Sequence, residues 1–163
     1  MLTKYGTSNI IVMLLVAAIM IIGGLFIKNP VVKYIIIVPG VILALFTFWF
    51  FRDPDREVPE KALEDPKYVI SPADGKVVMV EEVVEDQYIK DSVMRISIFL
   101  SPLDVHVNRS PVTGEVEYYN YYPGDYLVAY HPKASELNEH SKIGVKTKHG
   151  KVLFTQIVGI MAR

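Results

Sequence analysis

Cysteine is absent from the 163 residues. That excludes disulfides, thiol nucleophiles and cysteine-held metals. The four histidines, His106, His131, His140 and His149, show neither HxH nor HExxH spacing, so no metal site is expected. There is no glycine-rich phosphate loop and no GxSxG. A basic domain is also missing. Residues 52–163 carry a net charge of −4, so no nucleic-acid partner is expected. Residues 1–51 hold no acid at all and only Lys4, Lys28 and Lys33, for a net charge of +3. No internal repeat or low-complexity tract is present.

Long hydrophobic runs are what the chain does have. Residues 10–27 are uncharged and almost wholly apolar. Residues 34–51 are the same, apart from Pro39-Gly40 and Thr47. Each run would make a helix of roughly 27 Å, close to the thickness of a hydrocarbon core. Lys28-Asn29-Pro30 can form the turn between them. Pro39-Gly40 is expected to kink the second helix, a break that membrane helices tolerate. Trp49 and the aromatics Phe46, Phe48, Phe50 and Phe51 precede Arg52, the order of an aromatic belt and a charged stop. The expected organisation is a transmembrane helical hairpin over 1–51, a linker over 52–67 and a β-rich domain over 68–163. Pro54, Pro59 and Pro66 argue against a long helix in the linker.

Beyond the linker the pattern is mainly β. Strands are expected over 77–80, 94–100, 114–122, 145–148 and 152–158. Residues 133–139 read as a short helix or an ordered loop, and His149-Gly150 as a hairpin turn. Short strands with Gly and Pro punctuation suggest a barrel or two packed sheets.

Two stretches carry polar side chains beside strands. In Phe99-Leu100-Ser101-Pro102-Leu103-Asp104-Val105-His106-Val107-Asn108-Arg109-Ser110-Pro111, a proline breaks the strand and a rigid turn follows. It presents an acid, a histidine, an amide and an arginine. Ser71-Pro72-Ala73-Asp74-Gly75 reads first as a tight turn. Read as chemistry, Asp74 would orient an imidazole brought near by the fold, since a carboxylate beside a histidine fixes its tautomer. His131, His140 and His149 read as surface or loop residues.

Taken together, these stretches resemble the phosphatidylserine decarboxylase family, in its short bacterial and archaeal form. The matching text begins with Phe51-Arg52-Asp53-Pro54-Asp55-Arg56-Glu57-Val58-Pro59. It continues through the two polar stretches, Gly114, Gly124 and Lys133-Ala134-Ser135-Glu136-Leu137-Asn138-Glu139, to Gln156-Ile157-Val158-Gly159. The resemblance implies a proenzyme that cuts itself before a serine. That serine becomes a pyruvoyl group on a small α chain, which converts phosphatidylserine to phosphatidylethanolamine and CO2 through a Schiff base. By position, it assigns Asp74 to self-cleavage and His106 to proton donation. Long-form members carry a second histidine where Arg109 stands here. Arginine is a poor base, so Arg109, with Asn108, is expected to bind the substrate carboxylate or phosphate. No Gly-Ser pair occurs in the sequence. The pyruvoyl serine is therefore expected on a separate α chain, and this chain alone is expected to be inactive. The implied surroundings are the lipid bilayer of the cell membrane, with the catalytic domain on the cytoplasmic side, and a homo-oligomer is possible. Competing readings are an inactive homologue, a membrane-anchored lipoyl-like carrier and a metallopeptidase. The carrier would need a modified residue at a hairpin tip such as Lys148-His149-Gly150-Lys151. The peptidase would need the missing HxH pair.

Overall fold

Both N-terminal apolar runs are helices in the computed structural model, which describes residues 1–65, 67–128, 131 and 133–159. Pro66 of the expected linker and Ile160, beyond the last expected strand, lie outside the described residues. The chain forms two compact units. One comprises Met1–Arg56 with Leu103–Val107. The other comprises Glu57–Pro102 with Asn108–Arg163.

In the first unit, α1 spans Thr7–Leu25 and α2 spans Pro30–Phe50. The second helix starts four residues before the apolar run expected from sequence. Asn29 Oδ1 accepts the Val31 and Val32 N–H groups at 3.0 and 3.3 Å, and Pro30 occupies the first turn, where its missing N–H costs nothing. The residues read as a turn are thus a helix cap. Helix α2 continues through Pro39-Gly40. Gly40 has a packing role: a Cβ there would lie 3.0 Å from Met20 Cβ and 3.2 Å from the Ala17 carbonyl, so its absence lets the two helices approach. Thr47, fully buried, donates its hydroxyl to the Leu43 carbonyl at 2.7 Å. Most other large side chains face outward, including Ile11, Ile19, Ile35 and Leu45. Both helices are long and apolar enough to cross a membrane. Their outer ends are clasped: Thr3 N–H donates to Phe51 C=O at 2.9 Å and Asp53 N–H to Met1 C=O at 2.7 Å.

The second unit holds a short helix, α3 (Glu60–Glu64), inside the expected linker, and then the strands. Strands β1 (Lys76–Glu85) and β2 (Asp91–Phe99) form an antiparallel pair. Strands β3 (Glu115–Tyr122), β4 (His140–Lys146) and β5 (Lys151–Ile157) form a second antiparallel sheet in that order. A one-turn helix, α4 (Ala134–Leu137), precedes β4. The expectation of a mainly β unit with two sheets holds. Closure into a barrel is not observed among the described residues. Strand β1 runs further than its apolar core, through Glu81, Glu82 and Glu85, because its charges find cross-strand partners. Arg95 meets Glu81 at 2.6 Å, and the Ser92 hydroxyl donates to Glu82 at 2.6 Å. Strand β4 begins at His140, earlier than expected, and the residues after it close a turn at Gly150.

The two sheets meet through the β1–β2 turn. The Glu85 carboxylate organises that turn by accepting N–H bonds from Gln87, Tyr88 and Ile89 at 3.0, 2.9 and 2.6 Å. Burial raises the Glu85 pKa, but these backbone donors outweigh it and hold the group below its ordinary value. Tyr88 at the tip is buried and stacks on Tyr118 at 5.5 Å. Gly144 makes room for it, since a Cβ there would come within 2.6 Å of the ring. Gln87 Oε1 accepts the Tyr122 hydroxyl at 2.7 Å and Lys142 Nζ at 3.1 Å. Asn138, almost fully buried, ties the far end of the sheet. It bonds the Leu127 N–H and C=O at 2.9 and 2.8 Å and the Val158 carbonyl at 2.8 Å.

Candidate active site

The polar stretch after β2 is shared between the two units. Leu103–Val107, with His106 at its centre, belongs to the helical unit. Val105 is buried there. The half-buried His106 ring stacks on Phe50 at 4.6 Å, with 25° between the planes. Phe50, the last residue of α2, lies in turn against Phe46 at 5.6 Å and Phe51 at 5.1 Å. The 46–50 spacing puts two rings on one helix face. Arg52 ties the same loop to the end of the helix. Its Nη1 donates to the Trp49 carbonyl and its Nη2 to the Leu103 carbonyl, each at 2.7 Å, while its guanidinium lies 4.3 Å from the Trp49 ring. One of the carbonyls orphaned at the helix C-terminus is satisfied by this fork.

The imidazole has a defined tautomer. His106 Nδ1 lies 3.1 Å from the Asp104 carbonyl, which can only accept. Nδ1 therefore carries the proton, and Nε2 of the neutral ring carries the lone pair. Sequence reasoning gave tautomer control to the Asp74 carboxylate. At Nδ1 that task falls to the main chain two residues before the ring.

Asp74, Asn108 and Arg109 belong to the other unit. A brace of two backbone bonds draws their segments together. Arg109 N–H donates to Pro72 C=O at 2.8 Å, and Ile70 N–H donates to Pro111 C=O at 2.9 Å. The prolines have no N–H to return, so each pairing has a single bond and the brace stays short. The Ser71 hydroxyl donates to the Ala73 carbonyl at 2.7 Å. Gly75 has φ +143°, and a Cβ there would collide with the Phe99 carbonyl. Only glycine meets both demands. Within this unit, residues 70–75 thus lie between the end of β2 and residues 109–111. Asp74 is half-buried, while the Asn108 and Arg109 side chains are exposed.

The remaining histidines differ from one another. His131 is exposed, and its Nδ1 accepts the Lys133 N–H at 3.2 Å. His149 is exposed in the β4–β5 turn. His140 departs from the surface reading. It is half-buried at the start of β4, stacked on Tyr122 at 4.6 Å, with Nδ1 donating to Asn138 C=O at 2.7 Å.

The phosphatidylserine decarboxylase family description matches residues 43–163. The chain belongs to the phosphatidylserine decarboxylase family. It is 43% identical to the phosphatidylserine decarboxylase proenzyme of Amoebophilus asiaticus, over 98% of this chain and 69% of that one. It is 54% identical to the proenzyme of Salinibacter ruber, over 72% of this chain and 52% of that one. The corresponding protein of Carboxydothermus hydrogenoformans is 51% identical, over 75% of this chain and 55% of its own length. The chain thus spans between half and about two thirds of these three decarboxylase proenzymes. The decarboxylase match takes in Asp74, His106, Asn108 and Arg109, and also Phe50 and Arg52, which sequence reasoning read only as an aromatic belt and a charged stop. The one sequence signal for those two was their continuity with the family text that begins at Phe51.

Proposed function

We propose that this chain is the β-chain part of a phosphatidylserine decarboxylase, held to a bilayer by α1 and α2, with its β-rich domain on the cytoplasmic side. The reading divides the chain into a membrane hairpin, a connecting segment and a catalytic β-rich part. The supporting observation is the state of His106: half-buried, stacked, and limited by the Asp104 carbonyl to one tautomer. A ring so fixed can hold a proton at Nε2 and deliver it in one direction.

The family implies a pyruvoyl group made from a serine that follows a glycine. No serine of this chain follows a glycine. The residues present therefore fit the acid–base and anion-binding roles around such a group, and its precursor belongs to a separate α chain. When bound, a pyruvoyl group supplies the electron sink for carboxylate loss. His106 then protonates the substrate carbon through Nε2. Arg109, charged at any working pH, and Asn108 bind the carboxylate or phosphate of the lipid. Asp74 serves the earlier self-cleavage.

The complete protein, with both chains, tests these roles. A gel reports cleavage, and CO2 release from carboxyl-labelled phosphatidylserine reports turnover. Asp74→Asn leaves an uncut precursor. His106→Ala loses about 10²–10⁴-fold in CO2 release even where cleaved chains are obtained. Near-normal release from a cleaved His106→Ala protein removes His106 from the chemistry.

A further inference from the structure

We infer that Phe50 and Arg52 are positioning residues for His106, so that the end of helix α2 sets the geometry of proton transfer; this rests on the acid role proposed for His106. Two independent contacts carry the inference, and both lie within the helical unit. The Phe50 ring covers one face of the imidazole at 4.6 Å and fixes its plane. The Arg52 fork fixes the backbone that precedes it, because Nη2 holds the Leu103 carbonyl while Nη1 holds Trp49, each at 2.7 Å. Between these anchors lie Asp104, which accepts from Nδ1, and the buried Val105. The loop is thus held at its start by a planar two-pronged donor, at its middle by burial, and at its ring by a stack. Nε2 is left as the one ring nitrogen with a lone pair. Neither Phe50 nor Arg52 needs to touch substrate to matter. A displacement of about 1 Å in a catalytic group can cost about 10²-fold in rate.

The residue chemistry is demanding at both positions. Leucine at 50 keeps apolar volume but offers no flat face. Lysine at 52 keeps the charge but is a point donor without the rigid fork, so it does not hold two carbonyls in one geometry. Phe48, on the same helix and half exposed at 50%, is the control for a general disturbance of the helix end.

The first measurement needs no turnover. The full chain is labelled with 15N-histidine in lipid nanodiscs, and the His106 ring nitrogens and carbon-bound protons are recorded by NMR across pH. Native protein shows one dominant tautomer, protonated at Nδ1, and ring-to-ring contacts from His106 to Phe50. Phe50→Leu abolishes those contacts and the ring-current shift of the His106 protons. Arg52→Lys brings the tautomer ratio toward that of free imidazole. Phe50→Tyr, which keeps the flat face, restores the native pattern, and Phe48→Leu leaves it unchanged. In the complete, cleaved enzyme, Phe50→Leu lowers kcat about 10–100-fold and changes KM less than about 2-fold. A native spectrum with mixed tautomers and no contact to Phe50 overturns the inference, whether or not any variant folds. So does an unchanged kcat in a Phe50→Leu protein whose stack is gone. If the native enzyme releases no CO2 while the stack and tautomer are as stated, the decarboxylase reading fails and the positioning contacts stand.

Discussion

Glu85 shows how one side chain can govern a junction. Its carboxylate accepts three backbone N–H groups in the turn that joins the two sheets. Desolvation raises its pKa, the backbone donors lower it further than that, and the net direction is down. A group depressed in the folded state contributes stability above its unfolded pKa and loses it as pH falls through the folded value. We expect the β-rich unit to lose thermal stability as pH falls below the ordinary glutamate range. Glu85→Gln should flatten that acid limb and cost about 1–2 kcal/mol at neutral pH, a figure kept low because the group is partly exposed. Circular dichroism melts of both proteins between pH 3 and pH 7 measure it. An acid limb equally steep in Glu85→Gln would place its origin elsewhere. The Glu117–Lys146 pair, 3.0 Å apart, is a lesser contributor because it is solvated. The hydrogen bond from Lys146 lowers the Glu117 pKa, and the same bond raises that of Lys146.

The elements were legible in the sequence wherever one physical signal dominated. Uninterrupted apolar runs announced α1 and α2, and alternation with Gly and Pro punctuation announced a mainly β remainder. Their bounds slipped where the signal was not hydrophobicity. Asn29 and Pro30 look like a turn until the cap is seen, and Glu81 to Glu85 look too charged for a strand until Arg95 and Ser92 are seen across from them. At the candidate site, His106 and Arg109 were legible as residue types. The Phe50 stack and the Asp104 carbonyl were not, because both depend on how the chain folds back and on main-chain direction. The turn at residues 71–75 was read correctly as a turn, and the structure adds why its glycine is fixed. Gly75→Ala adds a Cβ at a positive φ and against the Phe99 carbonyl, so we expect it to cost more than about 2 kcal/mol. Amide hydrogen exchange reads the same change locally. The Ile70 and Arg109 amides, each bonded across the brace, should be protected together in the native protein and lose that protection in Gly75→Ala. Independent exchange of the two native amides would argue that the brace is not one unit.

At the scale of the whole molecule, the order of residues along the chain is not the order of the compact units. Leu103–Val107 belongs with the helices although about fifty residues separate it from them in sequence. With α1 and α2 in a bilayer, we expect the full chain to resist extraction by salt and carbonate and to require detergent. Release by salt alone would overturn the spanning reading. A fragment beginning at Lys67 should be released without detergent, but it lacks Phe50 and Arg52. We therefore expect its Val105 to be exposed and its His106 to titrate as a free imidazole with mixed tautomers, measurable by the same histidine spectra. A native tautomer ratio in that fragment would show that the loop holds itself.

The stack of His106 on the last residue of α2 has one more consequence, which concerns the solvent around the helix. Twenty-one residues of α-helix are about 31 Å long, nearly matched to a hydrocarbon core of about 30 Å. A proton donor carried on the end of such a helix has its depth set by the lipid as well as by the protein. Longer acyl chains draw that end inward, and shorter ones make the helix tilt, at fractions of a kcal/mol per Å of mismatch. Turnover should then peak at one chain length and fall on either side of it, making the enzyme a gauge of the thickness of the membrane whose lipids it helps to make.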